Sequence, residues 1–184
     1  MRPNTKEDNV SIKRIVALDP DLILVAYNDN SIDVLELPAM NLVGDLDKTW
    51  LGTKGGDITT IHVDEPNEKN YVYIGTSEGI LHVLDINDSS NIRICDFLLT
   101  WKLLGLNNNM SITDIQICPK DEKFLAISYE GLLVDQGAVI IYDLSKMKTH
   151  RLYETKAILS LAWNHTGDIL YGGKGFILFS CLIL

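Results

Sequence analysis

The chain lacks any stretch of apolar residues at the 3.6-residue spacing of an ordinary amphipathic helix. A fold that alternates strands with crossover helices is therefore excluded. Basic runs are lacking too. Lys and Arg total 16 against 25 Asp and Glu, and the net charge of −9 opposes binding to a phosphate backbone or an anionic membrane surface. No apolar run approaches the roughly 20 residues of a membrane helix. The opening MRPNTKEDNV has no apolar core, so it is not a signal peptide. Without an export signal, the sequons at Asn9, Asn87, Asn109 and Asn164 are chance matches. Cysteine is scarce: Cys95, Cys118 and Cys181 form no CxxC pair, and no histidine joins them at zinc-ligand spacing. The expectation is three reduced, buried thiols.

Catalytic signatures are missing as well. No GxSxG elbow or Walker loop occurs. Residues 52–56, GTKGG, lack the GK[ST] ending and the following helix of a phosphate loop, and are expected to be a mobile loop between repeats. His62 and His82 alternate within strand-like runs and are expected to pack or face solvent rather than bind metal. His165 sits in a plain reversal, Asn-His-Thr-Gly. No cofactor or metal set emerges, and an enzyme is the least favoured class.

What is present is a hairpin, YVYIGTSEGILHVLDI, at residues 71–86. Aromatic and β-branched residues at 71–74 suit a pleated, half-buried surface. Thr76, Ser77, Glu78 and Gly79 break the run with a glycine free to take positive φ. Alone such a hairpin is marginal in water. The chain writes it four times. Gly79 precedes Asp85 by six, Gly137 precedes Asp143 by six, and Asn30 precedes Glu36 by six. Asn tolerates the left-handed conformation best after glycine, so Asn30 can fill the glycine's role. Gly175 lies six before Cys181, the equivalent in the last copy. The anchors Glu36, Asp85 and Asp143 are 49 and 58 residues apart, with an insertion at 131–136 lengthening the third copy.

Several short strands in a unit of about 40 to 50 residues point to propeller blades. The predicted fold is all-β: an incomplete WD40-like β-propeller of about four blades of four-stranded antiparallel sheet. A flexible tail is expected at 1–10, with blades near 11–50, 57–105, 111–155 and an incomplete 157–184. In a WD-type blade the third strand ends in Trp-Asp. Here the pairs are Leu35-Glu36, Leu84-Asp85, Tyr142-Asp143 and Ser180-Cys181. The acid is expected to accept from backbone N–H groups of the following turn, and the apolar residue to pack between blades.

Residues 71–106 resemble a blade of the lethal giant larvae/tomosyn family, through the hairpin Tyr-x-Tyr-Ile-Gly-Thr-x-x-Gly with Tyr71 at the family's usual Trp position. Ala157, Ile158, Ser160, Trp163 and Gly167 resemble a later blade of the same family. The resemblance spans about residues 12–175. It implies a non-enzymatic cytosolic scaffold, peripheral at the plasma membrane. The implied partners are Q-SNAREs of the syntaxin and SNAP-25 types and, as in yeast members, a secretory Rab GTPase. The implied process is vesicle docking and fusion in polarised exocytosis. No partner-binding residue carries over to this numbering. The alternative is a generic WD-repeat interaction scaffold in another complex, such as a ubiquitin-ligase adaptor.

Four blades, the last without an outer strand, cannot close a seven-bladed ring, so a truncated member of the family is expected. Residues 176–184, FILFSCLIL, carry no charge and no turn, and an unpaired strand of that kind is an aggregation hazard. The final Cys181-Leu182-Ile183-Leu184 also matches a prenylation signal whose last Leu favours geranylgeranyl, although no polybasic stretch precedes it.

Overall fold

Period-2 alternation of apolar residues becomes strand throughout the chain. The computed structural model describes residues 9–52, 55–63, 71–86, 92–100, 110–133, 136–174 and 177–182. Among these residues all regular structure is β. The expectations placed on residues 1–8, 64–70, 101–109, 183–184, Asn87 and Gly175 lie outside the described residues.

Strands β1 (Ile12–Asp19), β2 (Leu22–Tyr27), β3 (Ile32–Glu36) and β4 (Asn41–Leu46) form one antiparallel sheet in chain order. The same meander recurs in β5 (Ile58–Val63), β6 (Tyr71–Thr76), β7 (Ile80–Asp85) and β8 (Arg93–Thr100). It recurs again in β9 (Ser111–Ile117), β10 (Phe124–Glu130), β11 (Gly137–Asp143) and β12 (Lys148–Thr155). The fourth sheet has three strands, β13 (Ser160–Trp163), β14 (Ile169–Lys174) and β15 (Ile177–Leu182). These are blades 1 to 4 of an open, incomplete β-propeller. Two elements differ from expectation. The last strand of blade 3, foreseen as a short piece near 150–153, runs eight residues. The first strand of blade 4 starts at Ser160, although Ala157 and Ile158 before it are fully buried.

Each first strand packs on the next blade's first strand, so the blades fan around an axis lined by β1, β5, β9 and β13. Three apolar layers fill the gaps between blades. Leu24, Ala26, Ile32 and Val34 of blade 1 meet Ile58, Ile61, Val72, Ile74 and Leu84 of blade 2. Tyr73, Leu81 and Val83 of blade 2 meet Ile112, Ile115, Leu125, Ile127 and Tyr142 of blade 3. Ala126, Val139 and Ile141 of blade 3 meet Ile158, Leu161 and Leu170 of blade 4. Fully burying one such side chain stabilises by about 1.5–3 kcal/mol.

The layers need close approach. A Cβ on Gly75 would lie 2.5 Å from the Ile112 side chain, so only glycine lets blade 3 seat on blade 2 there. Ile112→Ala, at the centre of the middle layer, should cost about 2–5 kcal/mol of unfolding free energy. Leu132→Ala, on a side chain 84% exposed, should stay within about 0.5 kcal/mol of the parent. Urea denaturation of both variants measures the contrast.

Candidate interaction surface

The seams between blades consume most of the polar chemistry the repeats provide. In blades 1, 2 and 3 the second-strand register slips beside the residue after a repeated isoleucine: Ile12/Arg14, Ile58/Thr60 and Tyr129/Ser128 flank these slips. A bulge re-aims the extra side chain. Thr59 Oγ1 thereby lies 2.6 Å from the Ile112 carbonyl oxygen of blade 3, with the Gly75 carbonyl at 3.0 Å as a second acceptor. Thr113, the equivalent in blade 3, donates to the Ile158 carbonyl of blade 4 at 2.5 Å and accepts from the Ser128 hydroxyl at 2.7 Å. Beside it, Asp114 accepts the Leu161 N–H at 2.6 Å across the same seam.

Asn30 fastens the first seam. Its φ of 69° matches the 72° of Gly79, so both occupy the left-handed region in equivalent hairpin turns. Its side chain goes further: Nδ2 donates to the Gly56 carbonyl at 3.2 Å, and Oδ1 accepts the Ile58 N–H at 2.9 Å. The Asn30 carbonyl accepts from Trp50 Nε1 at 2.6 Å. Turn propensity alone gave no sign of this bridging role. Gly56, foreseen as part of a mobile loop, is held by that bond, and a Cβ on it would meet Ser77 Oγ at 2.5 Å. Gly52 closes a turn by donating to the Thr49 carbonyl.

Gly137 corrects the six-residue arithmetic. It does not share the turn conformation of Asn30 and Gly79. The β10–β11 ladder extends to Glu130↔Gly137, and the reversal lies beyond it, where Gly131 donates to the Gln136 carbonyl. Position 137 is thus inside the sheet. Glycine is needed because a Cβ would sit 2.6 Å from the Ala157 backbone.

The acids end the third strands. Glu36 pairs with Leu22, Asp85 with Tyr71, and Asp143 with Phe124. Glu36 is exposed and Asp85 half-buried. Asp143 is buried: its Oδ1 accepts the Ser145 hydroxyl at 2.6 Å, the Ser145 N–H at 3.0 Å and the Lys146 N–H at 3.1 Å. Lys146 Nζ stands 3.1 Å from Oδ2. The Ser145 hydroxyl first, then Lys146, hold the carboxyl well below the usual carboxylate range. Asp143 clamps the turn that joins β11 to β12 within blade 3.

Cys181 also changes place. The blade-4 ladder pairs Leu170↔Cys181 and Ile169↔Leu182. Ile169 opens β14 as Tyr71 opens β6, so Leu182 stands where the acids stand, and Cys181 takes the apolar position of Leu84 and Tyr142. The frame Ser180-Cys181 was one residue early. The Cys181 thiol is half-buried against the blade 3–blade 4 layer, and burial pushes its pKa up.

His62 is half-buried opposite Tyr73, and His165 is exposed in the reversal closed by the Gly167 N–H to Asn164 carbonyl bond. His82 is buried, with its ring edge-on to Trp50 at 5.2 Å and Nε2 lacking a hydrogen-bond partner. Among the described residues no group of three or more His, Cys, Asp or Glu is arranged to hold a metal ion.

The surface left over is apolar in particular places. Leu132 and Leu133, in the insertion of the blade-3 hairpin, are 84% and 63% exposed. The base of that hairpin is tied to the blade-4 hairpin by the Glu130–Lys174 ion pair. The sequence-nominated residues are therefore not gathered into one site; they are spread over all four blades, at turns, strand ends and seams.

Burial lowers the His82 pKa from 6.5 to about 4. The folded state then binds fewer protons than the unfolded state between these values. Stability is complete above about pH 6.5 and is lost as pH falls toward 4. From pH 7 to pH 5 this one group should cost about 2 kcal/mol. His82→Leu should flatten that part of the profile, as measured by denaturant midpoints across the range. Cutting a seam is a separate test. Thr113→Val keeps the shape but strands the Ile158 carbonyl, so it should cost about 1–3 kcal/mol, whereas Thr113→Ser should retain most of the parent stability in thermal melts.

No protein-family model matches the chain, and no curated protein matches it. Among solved structures, the chain is similar to the β-propeller domain of Cps50 (Swd1) from Myceliophteria thermophila, at a TM-score of 0.67 and 12% identity. That match covers 89% of this chain and 50% of the other. It is also similar to a chain of the Mitotic Checkpoint Complex, at a TM-score of 0.54 and 10% identity, over 94% of this chain and 62% of that one. The chain thus spans about half to three-fifths of the propeller structures it matches, and the likeness fixes its fold as that of a β-propeller arc.

Proposed function

We propose that the chain is a protein-interaction scaffold that contributes propeller blades to a complex. The exposed Leu132-Leu133 pair carries this reading. Two large apolar side chains stand in solvent on a loop whose base is tied to the next blade by the Glu130–Lys174 ion pair, where a partner could cover them. Rigid scaffolds with functional loops bind partners in this way. The β-propeller likeness supports the same class, and a protein partner fits better than a nucleic acid for a chain of net charge −9. A role as a ubiquitin-ligase adaptor is one form of this reading.

A finer reading rests on the family resemblance of residues 71–106 and 157–167. It makes the partners Q-SNAREs of the syntaxin and SNAP-25 types and a secretory Rab GTPase. Purified Q-SNARE helices and the GTP-loaded Rab, titrated against the chain by calorimetry, distinguish the two. Saturable binding supports the finer reading, and no heat with either leaves the general scaffold. For the general reading, cross-linking mass spectrometry in cells should recover partners that Leu132→Asp/Leu133→Asp loses at unchanged melting temperature. Identical cross-links in parent and variant would remove the blade-3 loop as the contact.

A further inference from the structure

The leucine turn of blade 3 shares one side of the arc with the acidic turns of blades 1 and 2. The β2–β3 turn meets the β4–β5 connection through the Asn30 Nδ2 bond to the Gly56 carbonyl. The β6–β7 turn meets the same connection through the Ser77 N–H, which donates to the Asp57 carbonyl at 2.8 Å. At the foot of the β10–β11 turn, a Cβ on Gly137 would meet the backbone of Lys156 and Ala157, the connection into blade 4, at 2.6 Å.

The leucine turn stands further out than its counterpart in blade 2. β10 and β11 pair from Phe124↔Asp143 to Glu130↔Gly137, whereas β6 and β7 pair from Tyr71↔Asp85 to Gly75↔Leu81. The two additional rungs raise the apex by about 7 Å. The turn closes on itself: Gly131 donates to the Gln136 carbonyl at 2.8 Å, and Gln136 donates to the Leu133 carbonyl at 2.9 Å. It therefore offers side chains rather than a strand edge, and its partner must bring an apolar side-chain surface. An amphipathic helix carries one as a stripe, and a helix about 10 Å across can lie against a flank of this height.

Charge selects the kind of helix. Residues 11–100 hold 15 Asp and Glu against 6 Lys and Arg, while residues 101–184 hold 8 of each, so the net charge of −9 belongs to blades 1 and 2. Toward blade 2, Glu78 and Asp57 are exposed and make no ion pair among the described residues. Asp47 is exposed as well, with Lys48 beside it. Toward blade 4, Glu130 already neutralises Lys174.

We propose that the leucine turn receives a basic amphipathic helix of a partner protein. The apolar stripe covers Leu132 and Leu133, and the Lys and Arg residues of the helix lie toward blade 2, over Glu78 and Asp57. This rests on the leucine pair being the contact and adds the chemistry of what it contacts. An anionic membrane is opposed by the same acids.

A helical peptide of Leu and Lys in amphipathic order, about five turns long, tests it when titrated against the whole chain by fluorescence anisotropy. Saturable one-to-one binding is expected. Leu132→Asp/Leu133→Asp should abolish it. Glu78→Gln/Asp57→Asn keeps an acceptor for Asn30 Nδ2 and should weaken binding about fivefold at low salt, the size of two exposed ion pairs. A Leu and Glu peptide of the same pattern should not bind. Binding that needs the leucines but is indifferent to the acid variant, or equal binding of the Leu and Glu peptide, overturns the basic helix and leaves the leucine contact standing. Binding that ignores the leucine variant is unspecific charge attraction and overturns the proposal. No binding by the peptide also overturns it; the general scaffold reading survives where cross-links in cells still depend on the leucines, and loses this contact where they do not. Leucine-dependent partition onto vesicles of neutral or anionic phospholipid in place of peptide binding assigns the turn to a membrane and overturns the proposal too. The comparison of the two peptides decides even where a variant fails to fold.

Discussion

Everything in this structure depends on the burial of one sheet face against the next. No single blade has a core of its own. Each is one sheet thick, with both faces apolar, and an isolated sheet of this kind would expose both of them. Three internal layers solve that problem for blades 2 and 3 completely and for blades 1 and 4 by half. The repeated isoleucine marks the difference, since the same side chain is sealed at three positions and open to solvent at Ile12.

Polar groups then act within limits set by that packing. The sheets must approach closely near the axis, where Gly75 and Gly137 leave no room for a Cβ. Backbone carbonyls of one blade face the next there and need donors, because an unpaired buried carbonyl is costly. The bulges supply them by turning Thr59 and Thr113 sideways across the seam. Where blade 1 has a lysine instead, Asn30 reaches across from its turn to serve the same purpose. His82 and Tyr129 are exceptions: each buries a polar atom without a hydrogen-bond partner, and the His82 imidazole is tolerated because it is neutral at ordinary pH.

Strand number, order and pairing were legible in the alternation of apolar residues and in the repeat of turn residues. The positive φ of Asn30 and Gly79 follows from turn chemistry that residues within a few positions decide. Counting failed where ladder length varied. Gly137 entered the sheet because blade 3 pairs beyond the usual turn, and Cys181 shifted by one because the blade-4 hairpin has its own length. A fixed offset cannot register a hairpin extension, since both ladders satisfy the same alternation. The family resemblance named partners that no feature of the fold addresses, because blade packing is common to propellers of many functions.

The sequence by itself determined the class of the fold, the succession of its strands and its turns. These rest on local propensity and on period-2 patterning, which neighbouring residues settle among themselves. Only the tertiary structure decided what the residues are for. It turned Asn30, Thr59, Thr113 and Asp114 into fasteners between blades. It also divided one repeated isoleucine into three buried copies and one exposed copy. The physical reason is that each fastener is a relation between neighbouring sheets, 26 to 53 residues apart in the chain. Such relations exist only once the blades stand beside one another.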